Sequence, residues 1–364
     1  MDEPTPDAPP PAAAPAQPLP PQPIRFNGRG AEYFGIWIVN LLLTIVTLGI
    51  YSSWAKVRRL RYFYRHTEVA GSTFDFHGQP LRMFYGRLIA LGMLLLYSYS
   101  IRLHSMVTLL VIVLLALMLP WLLRNSLRFR LYNTSWRGTR FHFKGTLAGA
   151  YRVFLLNGFL TFITLYLLTP FAHQRLKAYQ HDNSWFGRTR CSFHATVGRF
   201  YIVYLLLLAA IVAVFAVIGL TGIFGIIMSI NSARHGEHGD PSAFIRTVFI
   251  AYATAILIGV SIGPAFHALI SNLIWNSTRI GEHRLECHIS PYRLAWITIS
   301  NTVLLVITLG LFTPWAAVRL AKYQLESVQL LPVSDLQEFV DAEPERLGAV
   351  GEEAATAFDF DISL

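Results

Sequence analysis

Residues 301–323 read NTVLLVITLGLFTPWAAVRLAKY, and the chain carries this block three times. Residues 40–62 read NLLLTIVTLGIYSSWAKVRRLRY, and residues 157–179 read NGFLTFITLYLLTPFAHQRLKAY. Aligned without a gap, Asn40, Asn157 and Asn301 coincide, as do Thr47, Thr164 and Thr308. Trp54 then meets Phe171 and Trp315, Arg58 meets Arg175 and Arg319, and Tyr62 meets Tyr179 and Tyr323. Agreement along a whole block marks an internal repeat rather than shared composition.

Each block leads into a second motif. Gly71-Ser-Thr-Phe74-Asp-Phe76-His-Gly78 alternates aromatic and polar residues between glycines, the pattern of a short strand and turn. It recurs as Gly138-Thr-Arg-Phe141-His-Phe143-Lys-Gly145, more weakly around Phe193-His194 and Cys287-His288, and opens at Phe26-Asn-Gly28. Asn133-Thr134 and Asn276-Ser277 each stand just before the glycine of their copy, where small polar residues suit a turn. Two apolar hairpins fill the gaps. One runs 84–97 and 106–123 through a link with Arg102 and His104; the other runs 201–230 and 244–270 through NSARHGEHGDPSA.

Of 364 residues, 54% are hydrophobic and 14% charged, against about 25% charged in a soluble domain. Several apolar runs approach the roughly 20 residues needed to cross a bilayer. The chain reads as a polytopic membrane protein. Its net charge of +9 sits in short clusters beside apolar runs, for example Lys56, Arg58, Arg59, Arg61 and Arg65. That placement suits anionic headgroups and topology setting rather than nucleic acid. Two cysteines, Cys191 and Cys287, make no disulfide framework. The first residues lack the basic-then-apolar order of a secretory signal, so the first apolar segment is expected to be retained. Residues 1–24 are Pro/Ala-rich and read as a disordered tail; 25–330 form the repeat-built membrane domain; 331–364 form an acidic tail.

Counting each apolar run as a span gives seven crossings and leaves basic loops on both faces, against the positive-inside bias. If the three repeated segments instead enter and return, every motif loop falls on the cytoplasmic side. Irregular backbone at membrane depth needs cover from protein or a wet cavity, whereas about 18 apolar residues suffice for a tilted crossing. Both topologies stand at the level of sequence.

The constellation resembles the YjgN-like family of bacterial inner-membrane proteins, a domain of unknown function. The residues that carry it are Phe26-Asn-Gly28, Thr47-Leu-Gly-Ile-Tyr51, Trp54-Ala55, Arg58, Tyr62, Gly71, Phe74-Asp-Phe76 and Gly78, with Thr308-Leu-Gly310 and Pro314-Trp-Ala316 in the last copy. The likeness covers about residues 25–325. It implies an inner-membrane location and supplies no activity, substrate or catalytic residue.

Candidate chemistry is sparse. His235-Gly-Glu-His238-Gly-Asp240 gathers metal-competent side chains, but Gly236, Gly239 and Pro241 favour a plain polar turn. Cys191, His194, Cys287 and His288 lack Cys-x-x-Cys spacing, so small buried strand residues are the stronger reading. No metal, cofactor or catalytic set is expected, and the chain does not read as an enzyme. Asn40, Asn157 and Asn301, with Thr47, Thr164 and Thr308, are candidates for lining a path, set against hydrogen bonding that holds the bundle together. Trp54, Arg58, Tyr62, Phe171, Arg175, Tyr179, Trp315, Arg319 and Tyr323 are candidates for the interface, as snorkelling anchors or headgroup contacts.

The expectation is an all-α integral membrane fold: a polytopic helical bundle built from repeats, with short strand-turn elements at the membrane surface. Transport or permeation of a small solute is the leading function. A non-transporting scaffold or anionic-lipid-binding module is its rival. Membrane lipids are the expected partners, with no nucleic acid; oligomeric state stays open.

Overall fold

One local sequence pattern is used four times, and completed a fifth time by the two ends of the domain, in the computed structural model, which describes residues 19–103, 105–234 and 241–334. A helix ends, a three-residue strand runs up, two residues turn, a five-residue strand runs down, and a new helix leaves. The strand pairs are β3 (Thr67–Val69) and β4 (Ser72–Phe76), β5 (Thr134–Trp136) and β6 (Thr139–Phe143), β7 (Ser184–Phe186) and β8 (Thr189–Phe193), and β9 (Thr278–Ile280) and β10 (His283–Cys287). The fifth pair is assembled from opposite regions of the chain. Its rising strand is β11 (Val328–Leu331), and its descending strand is the segment holding β1 (Gln22–Pro23) and β2 (Arg25–Phe26).

All eleven strands form one antiparallel sheet, in the order β1-β11-β10-β9-β8-β7-β6-β5-β4-β3-β2. Each descending strand splits its pairing. In β4, Ser72 and Thr73 pair with β3, whereas Phe74, Asp75 and Phe76 pair with β5. Segment 22–26 does the same. Gln22 and Pro23 pair with β11, Arg25 and Phe26 pair with β3, and the Ile24 amide donates to the Val328 carbonyl at 3.1 Å. The sheet therefore returns on itself as a short barrel, which leaves few strand edges open.

The side-chain period of two sets the faces of this barrel. The third rising-strand position is Val69, Trp136, Phe186, Ile280 or Leu330, and the middle descending position is Phe74, Phe141, Leu285 or Ile24; all of these pack together in one cluster. Cys191 occupies the fifth middle position and is buried. The alternate positions Glu68, Trp185, Arg279 and Gln329, with Arg25, Arg140, Arg190 and Arg284, make the outer face largely polar and basic, and Ser135 at the fifth such position is buried with its hydroxyl 2.8 Å from His77 Nε2. The turns obey backbone chemistry. Ala70-Gly71 and Arg137-Gly138 have positive φ at both positions, whereas Gly187 and Gly281 supply it at the first alone, as two-residue turns of opposite primed types require.

Because every two-residue turn lies at one rim, every helix leaves from the other. Five helical hairpins follow in order, short and long by turns. The short ones are α1 (Gly30–Val46) with α2 (Ser52–Arg65), then α5 (Leu147–Ala150), a π turn (Tyr151–Leu156) and α6 (Asn157–Ile163) with α7 (Thr169–Asp182), and finally α10 (Pro291–Ile307) with α11 (Thr313–Glu326). The long ones are α3 (Pro80–Leu103) with α4 (Ser105–Tyr132), and α8 (Val197–Arg234) with α9 (Pro241–Asn276). Four helices among the described residues, those of the long hairpins, are long and apolar enough to cross a membrane. The three repeated segments turn back at Thr47, Thr164 and Thr308, which puts all motif loops at one face.

The all-α expectation is corrected by this sheet: the strand-turn elements are neighbours in one eleven-stranded, nearly closed barrel. Strands of three to five residues carry too little alternation to announce a sheet, and their partners lie beyond intervening helical hairpins. Gln22–Ile24, assigned from composition to the tail, are part of the wall. The His235–Asp240 link lies outside the described residues.

Packing around the descending strands explains the Phe-x-Gly signature. Phe26, Phe76 and Phe143 are buried at the rim where the helices begin. A Cβ on Gly28, Gly78 or Gly145 would stand 2.6, 2.4 or 2.6 Å from the ring two residues earlier. Phe76 joins Val57, Met83 and Phe129, and Phe143 joins Leu127, Leu131, Ala150 and Tyr179. These rings tie β4 and β6 each to two helical hairpins.

Candidate functional site

The repeated threonines build the tips of the short hairpins. Thr47 Oγ1 donates to the Leu43 carbonyl at 2.7 Å and accepts the Tyr51 amide at 3.0 Å. Thr308 does the same with Leu304 and Phe312, and Thr164 with Leu160 and Leu168. One hydroxyl thus ends the descending helix and opens the returning one. Leu48, Leu165 and Leu309 follow in left-handed backbone and stand 94%, 88% and 94% exposed.

The repeated tyrosines clamp the other end. Tyr62 accepts the Arg29 amide at 2.8 Å and donates to its carbonyl at 2.9 Å. Tyr179 donates to the Thr146 carbonyl at 2.9 Å, and Tyr323 accepts the Ser290 amide at 2.8 Å. In all three copies the hydroxyl reaches the residue that precedes the partner helix. Burial pushes the Tyr179 phenol up to about 12.

Asn40, Asn157 and Asn301 are buried in their own hairpins. Asn301 Nδ2 donates to the Ala316 carbonyl at 3.3 Å, and Arg319 donates to Asn301 Oδ1 at 3.2 Å and Ser300 Oγ at 2.8 Å. Asn40 Oδ1 is buried without a partner. No hydrogen bond among the described residues joins one of the three asparagines to another.

The remaining repeat positions form a basic and aromatic collar. Arg58 is exposed with its guanidinium 5.9 Å from the Tyr51 ring, and Arg175 is exposed 5.2 Å from Phe171. Trp54 stacks with Tyr51 and packs against Phe84; Trp315 packs on Phe34 at 5.0 Å, joining the last hairpin to the first.

The middle copy departs from its sisters, and residue-by-residue comparison of the blocks carries that signal. Helix α2 places Val57, Leu60, Phe63 and Tyr64 where α11 has Val318, Ala321, Gln324 and Leu325. Helix α7 has Gln174, Lys177, Gln180 and His181 at those positions, all of them buried. With His173 they fall within an arc of about 120° on a helix of 3.6 residues per turn. Gln174 Nε2 donates to the Ala195 carbonyl at 3.0 Å, and His173 Nδ1 lies 3.0 Å from the Tyr204 hydroxyl. Burial, reinforced by the Arg130 charge, lowers the Lys177 ammonium to about 8; burial and the Lys177 charge lower His181 to about 3. The preceding arm is irregular too, through the π turn at Tyr151–Leu156.

Cys191 and Cys287 are free and buried, their thiols pushed up to about 12 and 11 by desolvation. Among the described residues no group of three His, Cys, Asp or Glu side chains is placed to hold a metal.

Comparison with known proteins agrees with a membrane setting. The chain is 36% identical over 133 residues to inner membrane protein YjgN of Escherichia coli O157:H7, covering 35% of this chain and 32% of that protein. It is 37% identical over 129 residues to YjgN of Escherichia coli K12, covering 34% and 31%. It is 29% identical over 147 residues to YjgN of Salmonella typhimurium LT2, covering 39% and 36%. The chain thus spans about a third of the length of these curated relatives. No solved structure matches it. With four span-capable helices, it is a multi-pass protein of the bacterial inner membrane. Residues 21–357, nearly the whole repeat-built chain, match one family, and the protein belongs to it: Bacterial protein of unknown function (DUF898).

Proposed function

We propose that the protein is a non-transporting membrane module whose short hairpins seat in the inner leaflet and hold anionic headgroups with their basic collar. One observation carries this reading: in the first two short hairpins an exposed leucine tip, Leu48 or Leu165, lies the same helical length below an exposed arginine, Arg58 or Arg175. Helix α2 has 14 residues and so extends about 21 Å at 1.5 Å per residue. Half the hydrocarbon thickness is about 15 Å. A tip at the midplane therefore puts Arg65, at the end of α2 and about 20 Å above its start, among the headgroups, while Arg58 and Arg59, about 9 and 11 Å above that start, reach the same layer by snorkelling; each basic side chain there contributes about 1 kcal/mol toward an anionic surface. The aromatic packing inside the barrel supports the same reading, since it leaves the ring axis filled by apolar side chains.

The test is delipidation in detergent followed by native mass spectrometry with phosphatidylglycerol or phosphatidylcholine. Retention of phosphatidylglycerol that falls in an Arg58→Gln/Arg175→Gln variant supports the module. Equal retention of both lipids contradicts it.

A second reading, permeation of a small solute, draws support from the buried polar arc of α7. Solute flux in proteoliposomes that is lost on substituting Lys177 would favour it.

A further inference from the structure

We propose that the π turn of the middle short hairpin forms a binding groove for one anionic phospholipid of the inner leaflet, with its phosphate on Arg152 and an acyl chain along Leu155, Leu156 and Phe159. The inference deepens the headgroup-binding reading and rests on it, but the site is separate from Arg58 and Arg175.

The groove belongs to one copy. The arm that enters the membrane is an unbroken helix in the first and last short hairpins, α1 and α10. In the middle hairpin the π turn at Tyr151–Leu156 interrupts it. Single π turns of this kind occur frequently at functional sites. An open groove of about 540 Å³ lies here, lined by Tyr151, Arg152, Leu155, Leu156 and Phe159, the first four of which belong to the turn. That volume falls within the about 300–1,000 Å³ of ligand clefts. The five positions share one face of the arm, on which Leu156 and Phe159 are 50% and 59% exposed. Tyr151 fixes this face against the neighbouring long hairpin, its hydroxyl donating to the Leu117 carbonyl of α4 at 2.7 Å.

Charge sets the headgroup. Arg152 is exposed, and its side chain makes no ion pair, hydrogen bond or ring contact among the described residues. Gly35 and Trp296 stand at its position in the other two copies, so neither carries a cation there. The chain has no Asp or Glu between Asp75 and Asp182. The neighbouring helices α4 and α7 fall in that interval, apart from Asp182 itself, which ends α7 and accepts the Phe193 amide at 2.8 Å. The counter-ion of Arg152 therefore comes from outside the chain.

Depth makes that counter-ion a lipid. Arg152 precedes the Thr164 tip by twelve residues, about 18 Å at 1.5 Å per residue. Half the hydrocarbon thickness is about 15 Å. With the tip at the midplane, Arg152 stands among the headgroups, and Leu155, Leu156 and Phe159 lie in the acyl layer beneath it. A soluble anion would answer the guanidinium and leave the apolar groove. A zwitterionic lipid would fill the groove but bring its own cation. An anionic phospholipid answers both features.

The experiment uses the purified full chain in nanodiscs of mixed phosphatidylglycerol and phosphatidylcholine. One lipid at a time carries a photoactivatable acyl chain, and peptide mass spectrometry locates the adduct. The expected result is an adduct within residues 151–159 from the phosphatidylglycerol probe, about fivefold stronger than from the phosphatidylcholine probe, the effect of one basic side chain at an anionic surface. Arg152→Gln, which breaks no contact within the described chain, should bring the two probes level. Leu156→Trp, which fills the groove, should remove the adduct, and Arg58→Gln/Arg175→Gln should leave it in place. Equal labelling of residues 151–159 by the two probes in the wild-type protein overturns the proposal, as does a phosphatidylglycerol adduct that Arg152→Gln leaves unchanged. The two readings fail separately. If phosphatidylglycerol retention depends on Arg58 and Arg175 while labelling of the groove ignores Arg152, the collar stands and the groove falls. If both lipids are retained equally and label the groove equally, both readings fall.

Discussion

The Ile24 amide donates to the Val328 carbonyl at 3.1 Å, so residues from the two ends of the membrane domain share one rung of the barrel. The fifth strand pair exists because segment 22–26 lies between β11 and β3. Ile24→Pro removes the donor at this joint. It should destabilise the protein by about 1–3 kcal/mol, the cost of leaving a buried acceptor unpaired. Arg25→Ala, on the exposed outer face, should cost under about 0.5 kcal/mol. Melting curves of the two variants in detergent check the contrast.

Three tyrosines perform one task, so their removal should have one signature. Tyr62→Phe, Tyr179→Phe and Tyr323→Phe each delete a hydroxyl bonded to the backbone ahead of the partner helix. Each should cost about 1 kcal/mol. Tyr62→Phe should cost the most, because its hydroxyl accepts the Arg29 amide at 2.8 Å and donates to the Arg29 carbonyl at 2.9 Å, whereas the matching Tyr323 bond to the Ser290 carbonyl is 3.4 Å long and Tyr179 bonds the Thr146 carbonyl alone. Stability in denaturant, measured side by side, reads this order.

Glycines in the repeat separate into two kinds. At Gly145 a Cβ would stand 2.6 Å from the Phe143 ring and 2.7 Å from the Tyr179 hydroxyl. Gly145→Ala should therefore cost about 1–3 kcal/mol through overpacking. Gly158, in helix α6, has no atom within 4 Å of its would-be Cβ, and Gly158→Ala should gain about 0.5–1 kcal/mol. Melting temperatures moving in opposite directions would verify both.

Much of this architecture is legible in the sequence. The threefold block, the Phe-x-Gly motif and the two long hairpins are visible by eye, and the family resemblance follows from them. The closed sheet is not. Val69, Trp136, Phe186, Ile280 and Leu330 meet in one cluster, yet they come from strands far apart in the chain, and nothing local records that they meet. The two ends of the domain were harder still, since Gln22-Pro23-Ile24 sits in a Pro-rich context that argues for a tail. Topology was balanced between two solutions because a segment of about 18 apolar residues satisfies length either as a span or as part of a hairpin. In the fold each segment is turned back at its Thr-Leu-Gly step, Thr-Leu-Tyr in the middle copy, by the threonine hydroxyl and the left-handed residues after it. The tyrosines read equally well as interfacial anchors, and only the fold shows which backbone they hold. The polar arc on α7 was present in the aligned blocks, as the positions where the middle copy stops agreeing with the others.

The cysteines should be chemically silent. Burial raises Cys191 to about 12 and Cys287 to about 11, so the thiolate fraction at pH 8 falls far below that of a free thiol near 8.5. Titration with a chromogenic disulfide at pH 8 should show no reaction in the folded protein and two thiols after denaturation. Fast labelling of the folded chain would mean that the barrel opens.

The central claim is that the whole sheet stands on one side of the membrane, with three hairpins entering and returning. Single cysteines at Thr73, Arg188 and Glu282, in a Cys191→Ala/Cys287→Ala background, place reporters on exposed residues in three of the strand pairs. A fourth at Ser105 reports the start of α4, at the far end of the first long hairpin. Intact cells are treated with a membrane-impermeant maleimide, and lysed cells establish that each thiol reacts. The account predicts protection of the three sheet positions until lysis and labelling of Ser105→Cys from outside. Labelling of Arg188→Cys and Glu282→Cys from outside, with Thr73→Cys protected, would mean that the repeated segments cross and would contradict it.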